Sequence, residues 1–421
     1  MLGRRRGRPH VAGADFMSGR RFLGVAAGVW IAGAVVGCGG SDGGGGGGTT
    51  ALDLPTVVNL GGKVLAAPRV QPIYFPGYPY AADTDAFLAR LAGSQYWTQV
   101  VGEYGVGAAT VLPGDATTVA APATLAAGDV AGLLMSVLSA DGATLGAARD
   151  DTIYVLMLPP TTQLMAGEIA FCESGASGFH TEVNVGLPVP VAVLPTCSTS
   201  DEAPDRTGFA AISPALTHEL IEASTDPLVV TAPAFLRTDD QHPMWPIALH
   251  GGENADLCEN ESPGLLDLPE LGQPVPRIWS NAAASAGRDP CVPVPAGEGY
   301  FLTVGRLPET VQLQRPGGQT IQVPAVVATV GASATVTVDY RGLAGAPASW
   351  DAVALEYHGD MALMEVLMGM QLMPVAGQSG ETKTLPVLTP AETSAGAFPL
   401  LIISQSMNRS LHLWVGTIVR R

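Results

Sequence analysis

Ser213-Pro214-Ala215-Leu216-Thr217-His218-Glu219-Leu220-Ile221-Glu222-Ala223-Ser224-Thr225-Asp226-Pro227 is the stretch on which the reading of this chain turns. Ser followed by Pro is an N-cap and N1 signature, and Asp-Pro is a stop, so the spacing predicts about three turns of helix between them. Leu216, Leu220 and Ala223 form an apolar stripe that would hold this helix against a core. His218 and Glu222, four residues apart, share a face, and Glu219 sits at its edge.

That spacing is the one found in an H-E-x-x-H zinc helix, with Glu where the second His would stand. There two ligands lie one turn apart, and the Glu after the first takes a proton from water. By that logic His218 and Glu222 are metal ligands and Glu219 is the catalytic base. A third ligand is needed. Gly251-Gly252-Glu253-Asn254-Ala255-Asp256-Leu257-Cys258 offers an acidic pair three apart that can share a face, and its similarity to gluzincin metallopeptidases, whose third ligand is a Glu on a later helix, implies Glu253 as the ligand with Asp256 as an alternative ligand or outer-sphere partner. His250 and Asp226 are weaker candidates. Zinc is the expected ion, although a His/Glu/Glu set is harder and more anionic than the usual zinc set and leaves another divalent metal open. The plain alternative is that Glu219 and Glu222 are solvated helix charges and Asp226 only closes the helix.

Upstream, Arg20-Arg21 precede an apolar run from Phe22 to Val36 that ends Val36-Gly37-Cys38. A basic start, a core of this length and small residues before a Cys read as a signal peptide over residues 1–37. The run is short for a membrane span. It resembles a bacterial lipoprotein signal, which implies lipidation of Cys38 and a place in the bacterial cell envelope, periplasmic or at the outer-membrane surface. Residues 38–64, with Gly43 to Gly48, read as a flexible tether. Four cysteines follow, Cys172, Cys197, Cys258 and Cys291. In an exported protein they suggest two disulfides, with three pairings open.

Six of the 21 basic residues and one of the 38 acidic ones precede Cys38, so the remainder carries 15 against 37, a balance of −22. Lys63 and Lys383 are its only lysines. A nucleic-acid partner is disfavoured on charge. With 47% hydrophobic and 14% charged residues, the chain has ample material for buried cores.

In chain order, residues 70–75 read as a strand, Asp83 or Thr84 as the cap of a helix through Phe87, Leu88 and Leu91, and residues 96–101 as a second helix. Residues 125–138 lean helical. The apolar run 152–158 suits a strand buried on both faces, and 189–194 another strand. Strands alternating with helices point to an α/β unit over residues 65–295. Thr225 to Pro295 is rich in Pro, Gly, Asn and Asp, too long for an unpinned loop. From residue 300 to 421, short strands divided by turns suggest an all-β sandwich, so the whole is an α+β chain. His358 and His412 read there as sheet or surface residues.

Several stretches fall together in one order: Ile73-Tyr74-Phe75, Tyr96 to Val101 with Tyr104-Gly105, Phe171-Cys172 leading to Gly178-Phe179-His180, the His218 helix with Thr225-Asp226-Pro227, Glu253 to Cys258, and Asp289-Pro290-Cys291. This order resembles the plant phosphate-induced, or Exordium-like, family over about residues 65–292. Plant members are secreted to the cell wall and linked to growth, and no chemical activity is firmly assigned to them. The resemblance implies a shared fold and site, and His180 belongs to the shared pattern, so it is a further candidate ligand or outer-sphere group, the plain alternative being a buried, hydrogen-bonded histidine. Ser177 stands where plant members tend to carry a further Cys. The pairing of the helix with a downstream Glu is also similar to gluzincin metallopeptidases, which implies a zincin-like domain. Glu392 to Leu400 resembles the penultimate turn and strand of bacterial immunoglobulin-like modules.

Two functions follow as expectations. One is a zinc-dependent, metallopeptidase-like hydrolase acting on peptides or other amides, with residues 189–194 offering a strand edge to an extended substrate, restricted by Pro188 and Pro190. The other is a non-catalytic surface or adhesion lipoprotein that binds a cell-surface polymer through a degenerate zincin-like body. A calcium-binding structural lipoprotein is disfavoured, because the aspartates lack D-x-D-x-D-G spacing.

Overall fold

A computed structural model describes residues 52–198, 203–297, 299–315, 318–359, 374–390 and 393–421. The expected signal peptide, Cys38, the glycine run and Glu392 lie outside the described residues. The fold mixes helices and strands, as the α+β expectation requires.

Strands β1 (Arg69–Tyr74), β2 (Thr152–Met157), β3 (Phe179–Asn184) and β4 (Pro188–Leu194) run in the order β1-β2-β4-β3, with two-residue strands 110–111 and 115–116 along β1. The first three neighbours are parallel and β3 is antiparallel to β4. All of β2 is buried because side chains alternate between two covered faces. Ile153, Val155 and Met157 meet helices α1 (Ala81–Ala92), α2 (Gln95–Val101) and α4 (Ser213–Thr225), while Tyr154 and Leu156 meet α3 (Val130–Ala140).

Four expectations need correction. Residues 189–194 do not form an edge: the run is wholly apolar and takes an interior place between β2 and β3, so the terminal strand is β3. Helix α1 begins before Asp83, and Thr84 instead donates its hydroxyl to the Tyr80 carbonyl at 2.8 Å. Residues 124–126 are a short strand, with the helix starting only at Val130. Residues 52–64, read as the end of the tether, are built into the fold: Leu52 and Val57 are buried, and 57–58 pair with 237–238.

Helix α4 has no solvated side, since every residue from Ser213 to Thr225 is buried. Its hydroxyls are satisfied locally: Thr217, Ser224 and Thr225 donate to carbonyls one turn back at 2.8, 2.6 and 3.1 Å, and Ser213 donates to Pro274 at 3.0 Å.

The C-terminal strands are β5 (Phe301–Arg306), β6 (Glu309–Gln314), β7 (Thr320–Ala328), β8 (Ala334–Gly342), β9 (Trp350–Glu356), β10 (Thr382–Leu388), β11 (Gly396–Gln405) and β12 (Leu411–Arg420). They follow one hydrogen-bonded path, β5-β8-β10-β9-β11-β12-β7-β6, which curls so that β5 packs across β11 and β12. The segment from Thr225 to Pro295 is pinned between this sheet and the first one. Trp245, Trp279, Cys258 and Cys291 join the core of the C-terminal strands, while Leu271, Val275 and Ile278 pack on the side of α4. The disulfides are Cys172–Cys197 and Cys258–Cys291, which selects one of the three open pairings.

Candidate metal centre

Helix α4, β3 and the segment 251–259 meet at one point. On β3, Phe179 packs toward Phe171, so the alternation of the strand turns His180 to the opposite face, where α4 lies. Gly178 permits this approach: a Cβ there would stand 2.8 Å from Leu194 Cδ1 and 3.2 Å from Glu219 Cγ. Thr225 donates to Asn254 Oδ1 at 3.2 Å, tying the end of α4 to the acidic segment. In that segment Asp256 Oδ2 accepts from the Glu253 N–H at 2.8 Å, and a Cβ on Gly251 would overlap the Asp256 carboxylate at 2.2 Å.

The result is two imidazoles among five carboxylates. His218 Nε2 lies 3.1 Å from Glu222 Oε1 and 3.5 Å from Asp256 Oδ1, and its Nδ1 lies 3.4 Å from Glu259 Oε1. His180 Nδ1 lies 3.2 Å from Glu222 Oε2 and 3.3 Å from Glu219 Oε2, and its Nε2 lies 3.5 Å from Glu253 Oε2. Side-chain exposure is 4% at Glu222, 6% at both histidines and 34% at Glu259, so the cluster opens toward solvent on the Glu259 side.

Two groups have donor atoms close enough to share an ion: His218, Glu222 and Asp256, and His180, Glu219 and Glu222. The expected set of His218, Glu222 and Glu253 is therefore not what converges, because Asp256 takes the third position and Glu253 reaches His180. Asp226 accepts from the Ala234 N–H at 2.7 Å and fixes the turn after α4, so it serves the backbone and belongs to neither group. His250 is turned to Tyr357, its Nε2 3.3 Å from the phenol oxygen, and is in neither group. Glu259 was missed by the sequence reading. The signal available was its spacing, an acidic residue at every third position from Glu253 through Asp256.

Burial favours neutral imidazole, but the carboxylates of Glu253, Glu219 and Glu222 outweigh it at His180 and hold its pKa well above the ordinary value. At His218 burial is likewise outweighed by Glu222, Asp256 and Glu219. Burial would raise Glu222, yet the two imidazoles bring it down to about 2. Burial pushes Glu253 well up, opposed by His180 and reinforced by Glu222 and Asp256, and burial with Glu222 also raises Asp256.

The donors suit a divalent ion. Atoms bound at about 2.0–2.2 Å in a tetrahedron stand roughly 3.3–3.6 Å apart, near the 3.1 and 3.5 Å separations around His218 Nε2. Glu222 Oε1, His218 Nδ1, His180 Nε2 and Glu253 Oε1 are buried without a hydrogen bond, an arrangement that costs free energy unless another ligand is bound. The chain matches no protein-family model and no curated protein sequence.

Proposed function

We propose that this is an exported, lipid-anchored envelope protein whose α4 cluster is the divalent-metal centre of a hydrolase acting on peptides or other amides. The observation that carries the reading is the triangle of His218 Nε2, Glu222 Oε1 and Asp256 Oδ1, buried at the first two and 16% exposed at the third. A bound zinc or similar ion supplies Lewis acidity, polarising a carbonyl and easing deprotonation of water. His218, Glu222 and Asp256 hold it; Glu259 beside His218 Nδ1 orients that ring. Glu219 Oε2, 3.3 Å from His180 Nδ1, is the carboxylate placed to take a proton and share it with that imidazole. The zincin-like and Exordium-like readings of residues 65–295 and the immunoglobulin-like reading of 300–421 belong to this proposal.

The test is turnover of a mixed peptide library by the purified full chain, with chelation and zinc restoration. Activity that chelator removes, zinc returns and Asp256→Asn loses is the expected result; chelator-insensitive turnover would refute the reading. A second reading, a non-catalytic binding lipoprotein in which the ion is a structural tie, is favoured by one observation: apart from Glu259, the ligating side chains are at most 16% exposed. Metal uptake without turnover would select it.

A further inference from the structure

We infer that the cluster is a two-ion centre: Glu222 bridges one divalent cation held with His218 and Asp256 to a second held with His180 and Glu219. The inference rests on the metal reading above and revises one role in it, since Glu219 becomes a ligand.

The first support is the division of labour within Glu222. Its Oε1 faces His218 Nε2 at 3.1 Å and its Oε2 faces His180 Nδ1 at 3.2 Å, so each oxygen serves a different imidazole. A carboxylate that gives one oxygen to each ion is how two-metal hydrolases hold their ions roughly 3.5–4 Å apart. Its position on α4 makes this possible. Glu222 lies one turn below His218 and across from β3, between the two rings.

The second support is a repeated pattern around the two histidines. Each ring turns one nitrogen toward a pair of carboxylates that includes Glu222: Glu222 and Asp256 for His218, Glu222 and Glu219 for His180. Each ring then presents its far nitrogen to a single further carboxylate, Glu259 at 3.4 Å and Glu253 at 3.5 Å. Metal-ligating histidines commonly have a carboxylate beyond the outer nitrogen, and here one stands near each ring without the alignment of a hydrogen bond. The cluster contains that unit twice. A single-ion site explains only one of the two copies.

The third support is an unpaired atom. Glu222 Oε1, the oxygen that faces His218 Nε2, is buried without a hydrogen bond, and with 4% of this side chain exposed water does not compensate it. One nitrogen and two carboxylate oxygens per ion suit zinc, manganese or iron(II).

The test is metal titration of the purified full chain, stripped by chelator, with Zn²⁺ and separately Mn²⁺. Two equivalents are expected in the wild type, and the Mn²⁺ form should give an exchange-coupled electron paramagnetic resonance signal. His180→Asn and Glu219→Gln should each retain one ion and lose the coupling, as should Asp256→Asn from the other side, while Glu222→Gln should lose the coupling and weaken both sites. Thermal melting in chelator reports whether each variant folds, and the two β3-side variants act as checks on each other. One ion in the wild type that is lost in Asp256→Asn and untouched by His180→Asn and Glu219→Gln would overturn the two-ion inference and leave the metal centre standing. No ion at all would overturn both.

Discussion

Buried charge is handled in two ways in this molecule. In the C-terminal sheet Arg420 is fully buried and completely matched: its Nε and Nη2 donate to Glu356 Oε2 at 2.9 and 2.7 Å, and its Nη1 donates to the carbonyls of Thr329 and Ala332. The other Glu356 oxygen meets His358 at 2.9 Å. Arg277 is similar, bonded to Asp289 and to the carbonyls of Cys291, Pro293 and Pro263, and His412 is paired with Glu261. At α4 the count is lopsided, five acids to two imidazoles, with buried atoms left unbonded. Matched pairs hold the sheet and the segment 234–292 together; the cluster at α4 is unmatched. The difference is visible chiefly in bonding, since His218, Glu222 and His180 are nearly as buried as the matched pairs.

The comparison can be broken most forcefully at a matched pair. Arg420→Met leaves the buried Glu356 with only His358 as a side-chain partner, and should cost about 3–5 kcal/mol in denaturant unfolding; a loss below about 1 kcal/mol would show that the pair is not structural. Next in size is the Cys258–Cys291 link, which closes a loop of 33 residues that starts at the end of the acidic segment. Replacing both cysteines by Ser should cost about 4 kcal/mol by loop entropy and should weaken metal uptake, because Asp256 and Glu259 lie within or beside that loop.

A third test uses pH. Burial alone would lower the pKa of His242, but Asp239 and Asp53 raise it to about 9, from the ordinary 6.5. A group raised on folding contributes stability that is fully present below its unfolded pKa and is lost as pH rises through the folded value. His242 should therefore stabilise the fold by up to about 3 kcal/mol below pH 6.5, with that contribution fading by about pH 9 and absent in His242→Ala. Parallel stability–pH curves for the two proteins from pH 6 to 9 would contradict this. The smallest effect belongs to the unmatched cluster. Burial, with Glu222 and Asp256 overriding His180, already favours the protonated Glu253 carboxyl, so Glu253→Gln measured in chelator should change unfolding by less than about 1 kcal/mol.

Much of this fold was legible because local patterns agreed with the tertiary result. The apolar run 152–158 has no polar side to spare, so a doubly covered strand was its natural place. Ser213-Pro214 and Asp226-Pro227 delimited α4 to within a residue. What could not be read was how α4 would be enclosed: Leu216, Leu220 and Ala223 suggested one buried stripe, whereas Leu271, Val275 and Ile278 cover it from a distant segment. The site shows the same limit. Spacing along α4 put His218 and Glu222 together, since i and i+4 share a face whatever the fold. The choice of Asp256 over Glu253 depends on the close approach of Gly251 to the Asp256 carboxylate, and the arrival of His180 depends on strand order, neither of which is a property of local sequence.

The most direct test of the α4 cluster as a cation site is elemental analysis of the purified full chain beside His218→Ala, after both have been equilibrated with limiting zinc and desalted. Stoichiometric zinc in the wild type and clear loss in the variant, with both melting cooperatively, is the expected outcome; equal zinc in the two proteins would contradict it.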